Sequence, residues 1–323
     1  MTLQSVMINP SETAKWLLER DDFLVIAHRR PDGDALGCAS ALAHGLRECG
    51  KTAYVMHNPE TTERYVQIVE DYWQPDGYAP ENIITVDTAS RSLFPSNAEE
   101  YKDAVTLCID HHGSNELYAK YTCLAPERAA CGEVVFDILN AMPCGVSAPS
   151  AERLYIALTT DTGCFTFANT TANTLRVAAS LIDAGAPYVD LNKALFRTKT
   201  RGRVRIEAKI NEGIEFLHGG KVAIAAITKE MMNVSGATEN DMDDIASLPG
   251  YVEGVICWIT IRELDEADGC KISVRTAPTV SAQDICSAFG GGGHPLAAGF
   301  SSMDSVEQIK DKLRAVIADF LPE

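Results

Sequence analysis

His28, Asp32, Asp34, Asp87, Asp110, His111, His112 and Asp161 are the residues of this sequence whose types could do hydrolytic chemistry together. Each has an ordinary reading by itself. Asp32-Gly33-Asp34 suits a turn, Asp87 a cap, His111-His112 a hydrogen-bonded pair, and Asp161 alone says little. Gathered at one place, however, carboxylates repel one another and their pKa values rise. Divalent cations resolve that conflict. Asp32, Asp34, Asp87 and Asp161 bring four negative charges, which two M²⁺ ions balance, and His28 and His111 add neutral nitrogen donors. Such mixed ligation suits Mn²⁺ first, with Co²⁺ or Mg²⁺ as alternatives. Two ions about 3.5–4 Å apart could share a bridging hydroxide and clamp both oxygens of a phosphoryl displacement.

The elements that must position these groups alternate along the chain. Phe23–Ala27, Thr52–His57, Ile83–Val86 and Val105–Ile109 read as strands. Ala35–Cys49, Gly132–Ala141, Ala151–Thr160 and Asn173–Ala184 read as helices. Strands apolar throughout predict an α/β unit with a mostly parallel sheet and helices on both faces. His28, Asp87 and Asp110 fall at strand ends, and Asp32 and Asp34 in the turn into a helix, where such sheets place ligands. Leu191–Leu217 predicts a helical connector, whose basic run Arg197, Lys199, Arg201, Arg203, Arg205 and Lys209 reads as a solvated face. Beyond it, Lys221–Thr228, Glu253–Glu263 and Lys271–Thr276 predict strands of a smaller α/β unit, with a hairpin turn at Asp265–Gly269 and a last helix over Ser305–Leu321. The expected divisions are 1–190, 191–217 and 218–323, with no internal repeat.

The order His28-x-x-Pro31-Asp32-x-Asp34-Ala35-x-Gly37, Asp87-Thr88-Ala89, Asp110-His111-His112 and Asp161-Thr162-Gly163-x-Phe165 resembles the DHH phosphoesterase superfamily. Gly290-Gly291-Gly292-Gly293-His294-x-x-Ala297-Ala298-Gly299-Phe300 is similar to the signature of its C-terminal DHHA1 domain. Length makes the chain most similar to the bacterial nanoRNase type, oligoribonucleases that also act on 3′-phosphoadenosine-5′-phosphate. The resemblance implies a DHH catalytic domain over 1–190 and a DHHA1 substrate-binding domain over 218–323, with a cleft between them. It implies one ion on His28, Asp32 and Asp87, and another on Asp34, Asp87, His111 and Asp161. His112 would face the scissile phosphate, and Asp110 would orient an imidazole from behind. Arg275, Gly291, Gly292, Gly293 and His294 would hold the far end of the substrate. Glycines let backbone N–H groups approach phosphate, and arginine grips it bidentately, so that implication also makes chemical sense. The nearest alternative is a cyclic di-AMP or linear dinucleotide phosphodiesterase. A manganese inorganic pyrophosphatase and a non-catalytic nucleic-acid-binding module are remoter. Cys38 and Thr276 depart from the family's usual residues at positions that are not expected ligands.

Bulk properties narrow the partners. With 323 residues, 46% of them hydrophobic, the chain can bury two cores. A net charge of −17 argues against long nucleic acid, whose binding needs many neutralised phosphates, but not against short RNA or a small nucleotide held by local cations. A homodimer is left open. Apolar runs such as Leu24–Ala27 fall far short of the ~20 residues of a membrane span. The early acids Glu12, Glu19, Asp21 and Asp22 do not suit a signal peptide, so a cytoplasmic protein is expected. The ten cysteines form no Cys-x-x-Cys pair and read as free, mostly buried thiols. His44, His57 and His218 read as ordinary helix, strand and turn residues.

Overall fold

The computed structural model describes residues 5–242, 244–264 and 269–322, so the turn expected at Asp265–Gly269 lies outside them except for Gly269. The chain divides into two compact units between Thr198 and Lys199, inside the stretch expected to connect them.

In the first unit the elements are β1 (Val6–Met7), α1 (Pro10–Leu18), β2 (Phe23–Ile26), α2 (Gly33–Glu48), β3 (Ala53–Val55), α3 (Glu63–Val69), β4 (Asn82–Val86), β5 (Val105–Asp110), β6 (Tyr121–Leu124), α4 (Cys131–Asn140), α5 (Ala148–Asp161), α6 (Ala172–Asp183) and α7 (Tyr188–Asn192). The strands form one sheet in the order β1-β6-β5-β4-β2-β3, with every pairing parallel. Parallel strands bury both faces, which is why they read as unbroken apolar runs. Phe23, Val25, Leu107 and Ile109 pack against α-helices on one side, among Leu36, Leu42, Val134 and Leu154. Leu24, Ile26 and Cys108 turn to the other side, against Met56, Phe94 and Ala98. On that second face the helices are short 3₁₀ segments, Arg91–Leu93 and Ser96–Tyr101, with Tyr118 beside them. The sequence reading does not find β1, α1 or β6. β1 is only two residues long, and β6, Tyr121–Leu124, is no shorter than β2, which the reading finds.

Close helix packing sets up the site. α2 is alanine-rich and begins where the Asp32 side chain accepts a hydrogen bond from Ala35 N, an N-cap. One turn on, a Cβ at Gly37 would stand 2.5 Å from Arg153 O, so only glycine lets α2 approach α5 so nearly. That approach brings Asp34, early in α2, toward Asp161, the last residue of α5.

The second unit contains α8 (Arg201–Glu212), β7 (Glu215–Leu217), β8 (Val222–Ile227), α9 (Lys229–Ser235), β9 (Cys257–Glu263), β10 (Cys270–Thr276), α10 (Ala282–Ser287), β11 (Gly292–His294), β12 (Ala297–Ser302) and α11 (Val306–Val316). Its sheet runs β11-β12-β10-β9-β8-β7, antiparallel except for β8 with β9. α8 packs here, with Ile206 and Ile210 buried among Ala225, Ile227, Met242 and Ile245. Its basic run is partly tied down, since Glu207 accepts from Lys199 Nζ at 2.6 Å and Arg203 Nε at 2.5 Å.

All ten cysteines are free. Among the described residues no helix is long and apolar enough to cross a membrane. His44 Nδ1 lies 2.9 Å from the Tyr72 hydroxyl, and His57 packs edge-on against Trp73.

Candidate metal centre

The expected ligands converge at the carboxyl end of the parallel sheet. His28 follows β2, Asp87 follows β4, and Asp110, His111 and His112 close β5. His111 Nε2 lies 3.5 Å from Asp87 Oδ1, 3.7 Å from Asp161 Oδ2 and 3.9 Å from Asp34 Oδ2. His28 Nε2 lies 3.8 Å from Asp87 Oδ2 and 3.9 Å from Asp32 Oδ1. Donor atoms of His28, Asp32 and Asp87 lie within 4.8 Å of one another, as do those of Asp34, His111 and Asp161.

These separations are too long for hydrogen bonds. The far side of each ring explains why. Nδ1 of His28 is 2.7 Å from Arg29 O, and Nδ1 of His111 is 3.1 Å from Arg128 O. A carbonyl can only accept, so Nδ1 carries a proton, and in the neutral ring each Nε2 turns its lone pair toward carboxylate oxygens. Lone pairs facing anions repel unless a cation stands between them. Ligand atoms about 2.0–2.2 Å from a shared ion stand roughly 3–4 Å apart, which matches the observed spacing.

The carboxylates tell the same story. Asp87 is 3% exposed, and its Oδ1 meets no hydrogen-bond donor. A buried polar atom left so is costly unless something else satisfies it. Asp87 also has φ +51°, a left-handed conformation that bends the chain sharply after β4. Burial, then repulsion from Asp87, Asp161 and Asp32, pushes Asp34 well above the usual carboxylate range. Burial, then Asp32, does the same for Asp87, and burial raises Asp161. The donor set therefore fits divalent cations.

Several supporting groups carry no motif. Asp34 Oδ2 accepts from Cys131 N at 2.7 Å, and its Oδ1 from Gly132 N at 2.9 Å and Cys38 Sγ at 3.2 Å. Those amides begin α4, whose N-cap, Ala130, has no capping side chain. Asp34 completes the helix end from a distance and draws on its dipole. The signal was there to read: a helical pattern opening on Ala-Ala-Cys-Gly lacks a capping residue.

His112 is held differently. Its Nδ1 lies 2.8 Å from Asp110 Oδ1, while Asn115 Nδ2 donates to Asp110 Oδ2 at 2.6 Å and the amides of His111 and His112 donate to Oδ1. Burial works to raise Asp110, but the hydrogen bonds from His112 and Asn115 outweigh it and leave its pKa lowered. The hydrogen bond to Asp110 outweighs desolvation at His112 and pushes it up to about 9. A raised histidine stabilises the fold fully below its ordinary 6.5, and that contribution is lost as pH rises through about 9. Asp110→Asn should therefore lower the His112 titration midpoint of the ion-free protein, followed by NMR, and cut turnover ~10–100-fold. An unmoved midpoint would remove Asp110 from this role.

The DHH family's N-terminal domain model matches residues 22–159, and the DHHA1 domain model residues 219–321. A Thermus thermophilus protein named bifunctional oligoribonuclease and PAP phosphatase NrnA is 32% identical over 277 residues, covering 85% of this chain and 82% of that protein. The chain belongs to the DHH/DHHA1 phosphoesterase family. A Bacillus subtilis protein of the same name is 26% identical over 302 residues, 90% of this chain and 92% of that one. The fold matches an exopolyphosphatase-related protein from Bacteroides fragilis with a TM-score of 0.85, at 22% identity and 96% coverage of both chains. As a member of the family the chain is a metal-dependent phosphoesterase, a hydrolase.

In the DHHA1 domain, Arg275 of β10 pairs with Ala297 of β12, and His294 of β11 pairs with the same Ala297 from the opposite side. Directly opposed residues share a face, so Arg275 and His294 flank Ala297 in one row across the sheet. Gly291 precedes β11, and Gly292 and Gly293 lie exposed within it. The end of the glycine-rich run, which alone would suit a flexible loop, is thus part of an edge strand that β12 separates from the strand of the arginine.

Proposed function

We propose that this chain hydrolyses short oligoribonucleotides and 3′-phosphoadenosine-5′-phosphate in the cytoplasm, alone or as a homodimer, with two divalent ions, Mn²⁺ first. The observation that carries the reading is Asp87 itself, a buried carboxylate with an unsatisfied oxygen between two sets of donors. His28 and Asp32 would hold one ion with Asp87. Asp34, His111 and Asp161 would hold the other with the same Asp87. When bound, such ions supply Lewis acidity at the phosphoryl group and lower the pKa of water.

The chain's own groups do the rest. The carbonyls of Arg29 and Arg128 fix the tautomers of His28 and His111. His112, with Nδ1 committed to Asp110, can present its Nε2–H to a phosphoryl oxygen as negative charge builds there. Arg275, His294 and the exposed Gly292 and Gly293 suit an anionic group of the substrate, whereas the Gly291 amide already donates to Cys286 O at 2.8 Å. The first unit would thus do the chemistry and the second select the substrate, with the expected connector 191–217 largely folded into the second unit. The names of the Thermus and Bacillus relatives support the substrate class, and a net charge of −17 disfavours long RNA.

The test is a product analysis with Mn²⁺ on pApA, 3′-phosphoadenosine-5′-phosphate, longer RNA and cyclic di-AMP. AMP should appear from the first two and only slowly from long RNA. No release from either small substrate would refute the proposal, and faster cleavage of cyclic di-AMP would move the substrate class.

A further inference from the structure

We propose that Phe167 is the platform on which a nucleobase of the substrate stacks, an inference that rests on the nucleotide reading above and adds to it the residue that recognises the base. The loop after α5 carries two phenylalanines with opposite fates. Phe165 turns inward and packs edge-on against the buried Tyr155, with ring centroids 6.3 Å apart. Phe167 turns outward and is 50% exposed. A lone exposed ring needs no explanation on a mobile surface, but this loop is fastened at every step. Cys164 N donates to Thr159 O at 2.7 Å, and Thr166 N and Phe167 N both donate to Thr162 O at 3.0 Å. Asn169 Nδ2 ties the loop to Asp161 O at 3.1 Å and to Ala129 O at 3.0 Å.

The backbone is also bent to present the ring. Gly163, Cys164 and Phe165 have successive φ values of +54°, +53° and +66°. Holding two non-glycine residues there costs energy, and strain of this kind concentrates at functional sites. The Phe167 ring lies directly on Gly163, where a Cβ would come within 2.4 Å of Cε1. Gly163 is two residues from Asp161, whose Oδ2 is 3.7 Å from His111 Nε2. A rigid apolar face therefore stands on the loop that follows Asp161, a member of the candidate metal cluster. Every nucleobase has a π-face, so an aromatic platform holds short RNA with little regard to sequence.

The experiment compares the wild type with Phe167→Ala and Phe167→Trp on pApA and on an analogue whose bases are removed. Phe167→Ala should raise KM for pApA about 5- to 100-fold while kcat changes little. Phe167→Trp should retain the wild-type KM, and the base-free analogue should show the same KM with all three proteins. An unchanged KM for pApA, or an equal rise for the base-free analogue, overturns the inference. So does a fall in thermal stability with KM intact, which would make the ring a packing residue. Equilibrium binding of pApA, read without turnover, separates the two levels of the claim. If the wild type binds pApA but does not cleave it, the hydrolytic reading fails, and stacking still stands or falls on whether Phe167→Ala loses that affinity. A wild type that binds no pApA overturns both.

Discussion

Asp87→Asn should abolish hydrolysis, with kcat/KM falling on the order of 10³-fold or more, and should reduce the number of Mn²⁺ ions bound in a calorimetric titration. The choice of asparagine matters. Asp87 sits at φ +51°, a conformation asparagine tolerates and alanine does not, so Asp87→Ala would confuse lost ligation with backbone strain. Asparagine keeps the shape and removes the charge. The magnitude follows from position, because among the described residues Asp87 is the carboxylate whose two oxygens face different imidazoles: Oδ1 stands 3.5 Å from His111 Nε2 and Oδ2 3.8 Å from His28 Nε2. A group shared by two ions would affect both, whereas loss of a single electrostatic donor in a catalytic site already costs ~10²–10³-fold. Asp32→Asn, on a half-exposed side chain at the outer set, should cost less. Equal metal stoichiometry in wild type and Asp87→Asn would dismiss the shared-ligand arrangement.

The sequence was most informative where chemistry is dense and least where geometry alone decides. Strand ends at Asp87 and Asp110 could be located because parallel strands are apolar throughout and a charge marks their exit. The clustering of His28, Asp32, Asp34, Asp87, His111 and Asp161 was legible through charge: separate carboxylates make sense together only if something neutralises them. What escaped was the support. Asn115, Arg128, Cys131 and Gly132 act through a side-chain amide, a carbonyl and two backbone N–H groups, and such atoms leave little trace in residue type. The second face of the sheet escaped for a related reason. Its 3₁₀ turns, Arg91–Leu93 and Ser96–Tyr101, are too short to show a period. Nor does the run Gly290–Gly293 reveal an edge strand, since glycine has no strand pattern to show; the pairing of Gly292–His294 with Ala297–Gly299 appears only in the fold.

Removing the ions should destabilise the first unit, and by more as pH rises. Burial, before mutual repulsion, holds Asp34, Asp87 and Asp161 above their unfolded value of 3.8. A carboxyl group with a raised folded pKa binds its proton more tightly in the fold than in the open chain. Ion-free stability is therefore greatest at low pH and declines as pH climbs from the unfolded value through the folded one. Cations bound among these carboxylates would take over the work of those protons. Stabilisation by Mn²⁺ should consequently grow with pH, reaching about 4 kcal/mol for each site when free metal is ~1,000 times Kd. For a unit of ~150–250 residues each kcal/mol is worth about 2–4 °C, so chelation at about pH 8 should lower Tm by on the order of 10 °C or more. At about pH 5 the loss should be much smaller. Asp87→Asn supplies the internal check: without metal at about pH 8 it should melt above the ion-free wild type, because one buried charge has gone, yet gain less from added Mn²⁺. A chelation effect independent of pH, or an ion-free wild type that is steadier at pH 8 than at pH 5, would mean that the charges are compensated in some other way. If instead Asp87→Asn behaves as expected, the same carboxylate weakens the empty fold and makes the loaded one active, a conflict that a ligand, rather than packing, resolves.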